Sequence, residues 1–166
     1  MKASILLACG LAMQAPGALP APGLDRAGSV AVGATFAELR SEGAWDAAGF
    51  GEGEAQGACE YYSGRLLPEG VSMMVEDGKV VRFDQATPLS TGPFGLRVGD
   101  SQATALAKLP AGVVVTAHHY EGEHGRYLTW RAPGTDFAVR VETSGGQVGS
   151  FYWGLWTNVQ YVEGCL

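Results

Sequence analysis

The sequence predicts an α+β protein in which two tandem repeats, each a helix followed by antiparallel strands, form one curved sheet with helices on one side. The first observation is the stretch VSMMVEDGKVVRF at residues 71–83, where an Asp-Gly pair separates two β-branched runs. Such a pair favours the tight type I′ turn of a β-hairpin. The second is its recurrence as FAVRVETSGGQVGSFYW at residues 137–153. Self-similarity over most of a chain indicates repeated structural units.

The first repeat is expected at residues 30–84. Thr35 is a candidate N-cap, and Glu38 three residues later completes a capping box. Residues 43–57 are rich in glycine and alanine, which predicts a second weak helical turn followed by a loop. A strand that contains Cys59 is then expected before the hairpin.

The second repeat is expected at residues 96–166, after a proline-containing linker at residues 85–95. Ser101 or Asp100 caps its helix, which Pro110 helps to stop. Two further strands and the second hairpin follow, and the C-terminal residues either add an edge strand or lie across the sheet. The residues expected on the inner face of this helix are Ala103, Leu106, Ala107 and Leu109.

The hairpins also predict which side chains share a face of the sheet. A two-residue turn at Asp77-Gly78 places Val75 opposite Val80 and Met74 opposite Val81, and a turn at residues 143–146 places Val141 opposite Val148. The face expected in the core carries Val75, Val80, Phe137, Val139, Val141 and Val148. The opposite face carries Met74, Val81, Phe83, Ala138, Phe151 and Trp153. Because a solvated sheet face should be polar, this second apolar face is either covered by the chain itself or kept for a partner.

Composition limits the location and the partners. Residues 1–21, with Met1-Lys2, a short apolar run and a small-residue stretch, predict a secretory signal peptide, and residues 22–29 a flexible leader. Cys9 lies in a stretch that resembles a lipoprotein box, which leaves lipidation as an alternative. The apolar run is too short to span a membrane, so a periplasmic or secreted protein is expected. The 17 acidic and 11 basic residues, without a basic cluster, argue against nucleic acid and anionic membranes as partners.

Two cysteines remain after removal of the signal peptide. In an oxidising compartment Cys59 and Cys165 are expected to pair in a disulfide. The alternative is two buried thiols.

Candidate chemistry is sparse. His118, His119 and His124, with Glu121 and Glu123 nearby, offer imidazoles for zinc or copper, but strand alternation sends His118 and His119 to opposite faces. A solvated hairpin turn is the alternative. No G-x-S-x-G motif is present, and Glu76-Asp77 fits a solvated turn, so no enzyme activity and no cofactor are predicted.

One order of elements occurs twice: a VG-x-[ST] helix start, two strands, a turn and a strand. With its two copies joined by a proline-containing linker, this arrangement resembles the tandem repeat of the β-lactamase inhibitor protein family. It is also similar to the single repeat of SmpA/OmlA-type outer-membrane assembly lipoproteins. The segments GVSMMVEDGKVVRFD, GLRVGDSQA and YVEGC look like those of uncharacterised secreted bacterial proteins. The first resemblance implies a continuous concave sheet with helices behind it that binds through aromatic residues and loop tips.

The leading hypothesis is a non-catalytic protein-binding module that uses the second face of the sheet. Inhibition of an enzyme is one function that such a module can have. Interfaces favour tyrosine, tryptophan and arginine at a desolvated centre. The predicted binding residues are Met74, Val81, Phe83, Trp130, Arg140, Phe151 and Trp153. Two alternatives are a metal or small-molecule binder at the histidine turn and a structural component of the cell envelope.

Overall fold

We analysed a computed structural model of the chain, which describes residues 23–47 and 58–165. Its helices are α1, Phe36–Glu42, and α2, Gln102–Lys108. Its strands are β1 Arg26–Ala27, β2 Val30–Ala31, β3 Trp45–Ala47, β4 Cys59–Gly64, β5 Val71–Glu76, β6 Lys79–Gln85, β7 Val114–His118, β8 Gly122–Arg131, β9 Phe137–Ser144 and β10 Gln147–Leu155.

Eight of these strands form a single antiparallel sheet in the order β3-β4-β5-β6-β10-β9-β8-β7. A separate two-stranded ribbon pairs β1 with β2. The prediction of an α+β fold built from tandem helix-plus-sheet repeats was wrong, because the described chain is mostly antiparallel sheet with two helices of seven residues each. Helices this short gain little from their own hydrogen bonds and depend on packing against the sheet.

Each helix begins at the tip of a hairpin. The Phe36 backbone N–H donates to the Gly78 carbonyl at 2.8 Å, and the Gln102 N–H donates to the Gly146 carbonyl at 2.8 Å. The Ser101 side chain caps α2 by accepting from the Thr104 N–H, as predicted. The Thr35 hydroxyl instead bonds the Glu38 carboxylate at 2.5 Å and caps no backbone N–H. On α2 the fully buried residue is Ala105, which was not among the predicted inner residues.

The first hairpin departs from the predicted register beyond its first pairs, and in the second hairpin Val148 pairs with Thr143 and not with Val141 as predicted. Asp77 and Gly78 form the expected turn with positive φ, and Val75 pairs with Val80. A bulge between Met74 and Val75 then shifts the ladder, so that Phe83 pairs with Met73. Since side chains alternate with a period of two, one extra residue moves every later side chain of β6 to the other face.

The second hairpin is shifted in the same sense. Gly145 and Gly146, both at positive φ, make a two-residue turn where four residues were predicted. A bulge between Val148 and Ser150 then pairs Phe151 with Val141. Phe151 and Trp153 therefore join the valines on the core face, and not the opposite face where they were predicted.

One face of the sheet packs against the helices and the N-terminal ribbon. Leu24, Ala27 and Val30 are buried in this core, so residues predicted to form a flexible leader are part of the fold. The loop residue Leu96 and α2 cover the other half. Residues 43–47 contain β3 where a helical turn was predicted, and the rest of that predicted loop, like residues 1–21 of the predicted signal peptide, lies outside the described residues.

We call the other side of the sheet the second face. Arg82, Asp84, Arg140, Glu142 and Tyr152 point to this side. The C-terminal segment, residues 156–165, crosses part of it, and Val159 packs with Ala138 and Tyr152. Of the two arrangements open for this segment, the chain adopts the one that lies across the sheet.

Candidate functional site

All seven side chains predicted to form an open binding face are buried. Phe83, Phe151, Trp130 and Trp153 lie in the main core, and Met74, Val81 and Arg140 are also buried. The indole N–H of Trp153 donates to the Arg26 carbonyl at 3.0 Å, and that of Trp130 to the Ala111 carbonyl at 3.1 Å. The expectation that these rings are reachable by a partner was therefore wrong. The bulges turn Phe83, Phe151 and Trp153 toward the core, and the regular β8-β9 register places Trp130 beside the core residue Val139.

The predicted cysteine pair is confirmed. Cys59 and Cys165 form a disulfide with their Cα atoms 5.3 Å apart. The bridge joins β4 to the end of the C-terminal segment. It therefore fixes that segment across the second face.

The histidine turn does not assemble a ligand set. His118 accepts from the backbone N–H groups of Tyr120 and Glu121 through Nδ1, both at 3.2 Å, and stacks on Tyr127 with ring centroids 4.5 Å apart. Its Nε2 lies 3.8 Å from Glu142. Within residues 23–47 and 58–165, no group of three or more His, Cys, Asp or Glu side chains is arranged to hold a metal ion.

The second face contains a buried arginine at the centre of a polar network. The Arg82 guanidinium binds both oxygens of Asp84, with Nη2 2.6 Å from Oδ1 and Nε 3.0 Å from Oδ2. Nη2 also donates to the Tyr61 hydroxyl at 2.8 Å. Nη1 donates to the carbonyls of Asn158 and Tyr161 at 2.9 and 3.2 Å. The guanidinium lies 4.1 Å from the centre of the Tyr152 ring.

Burial shapes the protonation of this network. Burial raises the pKa of the Asp84 carboxyl, and Arg82 opposes that rise. Burial alone would lower the pKa of Arg82, but Asp84 raises it, so the guanidinium stays charged. The pKa values of Tyr61 and Tyr152 are also raised, chiefly by burial and then by the neighbouring carboxylates. Both phenols therefore remain hydrogen-bond donors at neutral pH.

Glu142 is held differently, by neutral groups. Its two oxygens accept from the Tyr152 hydroxyl at 2.9 Å and from the Ser150 hydroxyl at 2.8 Å. The nearby Arg140 guanidinium is engaged with Thr129 and Gln160. Glu142 thus keeps a fixed position, and no Lys or Arg of the described residues forms an ion pair with it.

Two exposed valines lie at one edge of the sheet. Val114 is 61% exposed and Val115 is 47% exposed, and Tyr120, just beyond the end of β7, is 60% exposed. Val114 and Val115 belong to β7, whose first four residues are all exposed. β7 pairs with β8 on one side only, and no other described strand covers its outer edge.

Sequence reasoning identified β7 as a strand but not as an edge. The available signal was the absence of any charged residue from Leu109 to Tyr120. Edge strands are usually protected by lysine, proline or a bulge. The bulge in β7 comes only at its end, between Ala117 and His118.

No helix in the described part of the chain is long and apolar enough to cross a membrane. A comparison with known protein families, curated proteins and solved structures finds no match for this chain. The resemblance to the β-lactamase inhibitor proteins therefore stays a prediction.

Proposed function

We propose that this chain is a secreted or periplasmic, non-catalytic module that binds another protein by accepting an extended segment of it along β7. The observation that carries this proposal is the exposed, uncharged edge of β7. A free strand edge offers backbone N–H and C=O groups that a further strand can pair with, and alternate side chains add specificity.

The properties of the edge favour strand addition. Val114 and Thr116 face one side of the sheet and Val115 and Ala117 the other, so an added strand would meet apolar side chains on both sides. The absence of charges along β7 removes the usual barrier to pairing.

Charge selects the kind of partner. The chain has a formal net charge of −6, so two copies repel each other, whereas a basic segment is attracted. A five-residue strand also contributes too little area for a stable homodimer, which needs roughly 1,000 Å² or more. The occupant we propose is therefore an extended apolar segment of another protein, flanked by lysine or arginine.

Two features support the proposed location outside the cytoplasm. The predicted signal peptide would direct the chain out of the cytoplasm, and the Cys59–Cys165 disulfide is compatible with an oxidising compartment.

The test uses the peptide KKVTVTVKK with the charge-reversed peptide EEVTVTVEE as its control. We expect KKVTVTVKK to shift the backbone amide NMR signals of residues 113–118 and to slow their hydrogen exchange, with a dissociation constant of about 100 µM. EEVTVTVEE should bind at least about tenfold more weakly, because its charges repel the acidic chain.

Variants locate the site. Val114→Lys and Val115→Lys alter exposed side chains, so both should fold and should lose most of the binding to KKVTVTVKK. The matched control is Leu89→Lys, which changes an apolar residue that is 58% exposed outside β7. Equal binding by all three variants would contradict the proposal. So would a wild-type dimer in light scattering that Val114→Lys converts to monomer, because a second copy would then occupy the edge.

A further inference from the structure

A cleft of about 390 Å³ opens on the second face, beside the C-terminal segment. Tyr61 of β4, Asp84 of β6, Glu142 of β9 and Tyr152 of β10 line it, together with residues 162–164. No residue of β7 lines it, and the two places approach each other only where His118, the last residue of β7, lies 3.8 Å from Glu142. A cavity of this size accommodates a small organic molecule.

Among the described residues, Arg82 is the one basic residue that lines the cleft, and it has no N–H donor left for a ligand. Arg82 uses its N–H groups on Asp84, Tyr61 and the carbonyls of Asn158 and Tyr161. Its charge is balanced by Asp84 at 2.6 Å. An anionic ligand would therefore find neither a free N–H group nor a net positive charge.

The charge that remains is negative and comes mainly from Glu142. The Ser150 and Tyr152 hydroxyls orient this carboxylate but do not neutralise it, and the imidazole Nε2 of His118 lies 3.8 Å from it, beyond hydrogen-bond distance. Glu163 adds a second carboxylate where the C-terminal segment borders the cleft. The influence of Glu142 reaches across the cleft, because its charge contributes to raising the pKa of Asp84.

The rest of the lining combines hydroxyl acceptors with apolar surface. Ser72 and Ser150 supply hydroxyl oxygens, and Tyr152 and Val162 supply apolar carbon atoms. An ammonium group carries three donors and no acceptor, so it matches a carboxylate flanked by hydroxyl oxygens.

We propose that this cleft binds a small protonated primary amine with a short apolar chain, whose ammonium group pairs with Glu142. The Ser150 hydroxyl accepts a further ammonium donor, and the alkyl chain packs against the apolar lining. This site is separate from the proposed protein-binding edge.

The test compares three probes with the same four-carbon skeleton: n-butylamine, n-butanol and butyrate. We expect n-butylamine to perturb the amide NMR signals of Glu142, Ser150 and Tyr152 with a dissociation constant of about 1 mM, a value reasonable for five heavy atoms. The neutral and anionic probes should bind at least about tenfold more weakly, because they form no charge-assisted hydrogen bond with the carboxylate.

The variant Glu142→Gln keeps the size of the side chain and one acceptor oxygen but removes the charge, so its affinity for n-butylamine should fall by about tenfold. Its control is Glu123→Gln, an exposed residue of β8 outside the cleft, which should bind as the wild type does. Equal affinity of Glu142→Gln and wild type overturns the proposal. So does equal binding of n-butylamine and n-butanol by the wild type, a result that needs no variant to fold.

Discussion

Arg82 illustrates how a buried charge is accommodated in this protein. Its side chain is almost fully buried, yet it contacts a carboxylate, a phenol, two backbone carbonyls and an aromatic ring. A charge in such surroundings is tolerated only when its partners satisfy it, because desolvation of an unpaired ion is costly. The two carbonyls belong to the C-terminal segment, so this one side chain also links that segment to the sheet.

Replacement of Arg82 by methionine should lower the free energy of unfolding by about 3 to 5 kcal/mol, because Asp84 is left as an unpaired buried carboxylate. The double variant Arg82→Met with Asp84→Asn should recover part of that loss. Urea denaturation measures both. Arg131→Ala is the control: its pair with Asp136 is exposed, so its loss should cost less than about 1 kcal/mol. A loss of less than about 1 kcal/mol for Arg82→Met as well would contradict the role of Arg82 in balancing the buried Asp84 carboxylate.

At the scale of the elements, the two bulges decide which side chains reach the core. The bulges in the β5-β6 and β9-β10 hairpins bring Phe83, Phe151 and Trp153 under the helices. At the join between the hairpins, Gly154 of β10 pairs with Arg82 of β6 at a φ of 144°. An added Cβ there would lie 2.4 Å from the Val81 carbonyl oxygen, so the two hairpins can approach only because this residue is glycine.

Gly154→Ala should lower the free energy of unfolding by about 1 to 3 kcal/mol, since it introduces both backbone strain and a backbone clash. The control is Gly149→Ala in the β10 bulge, where an added Cβ meets nothing within 4 Å. Gly149→Ala should be nearly neutral or slightly stabilising. Thermal unfolding followed by circular dichroism compares them. Equal stability of the two variants would show that the β6-β10 junction tolerates a side chain.

At the scale of the whole molecule, the C-terminal segment closes the fold. It crosses strands that come from distant parts of the sequence, and Asn158 and Tyr161 bind Glu76 of β5. The disulfide joins residues 106 positions apart and fixes the end of this segment beside β4. The second face is thus covered on one side by the chain itself and left accessible at the cleft on the other.

Replacement of both cysteines by serine should lower the free energy of unfolding by about 2 to 5 kcal/mol, because the unfolded chain gains freedom in a loop of about a hundred residues. Amide hydrogen exchange at residues 158–161 should become faster than in the wild type. The reduced wild type should show the same loss, and the variant should not respond to reductant. Unchanged exchange at these residues would mean that the disulfide does not hold the segment on the sheet.

Several features could be predicted from the chemistry of neighbouring residues in the sequence. The Asp77-Gly78 turn follows from the positive φ that a tight hairpin requires, and the Ser101 cap from the unsatisfied N–H groups of a helix start. Most strands could also be predicted from their runs of β-branched residues. The candidate site could not be predicted in this way, because the open-face residues depended on uninterrupted alternation and the cleft joins residues from five strands and the C-terminal segment.

The sequence by itself determined the Asp77-Gly78 turn, most of the strands, the α2 cap and the cysteine pair, because each depends on neighbouring residues or on the availability of a single partner. Only the tertiary structure decided that the described chain is mostly antiparallel sheet, that Phe151 and Trp153 face the core, and that β7 ends the sheet. The physical reason is that alternation fixes faces only until a bulge intervenes, while strand order depends on contacts between residues far apart in the chain.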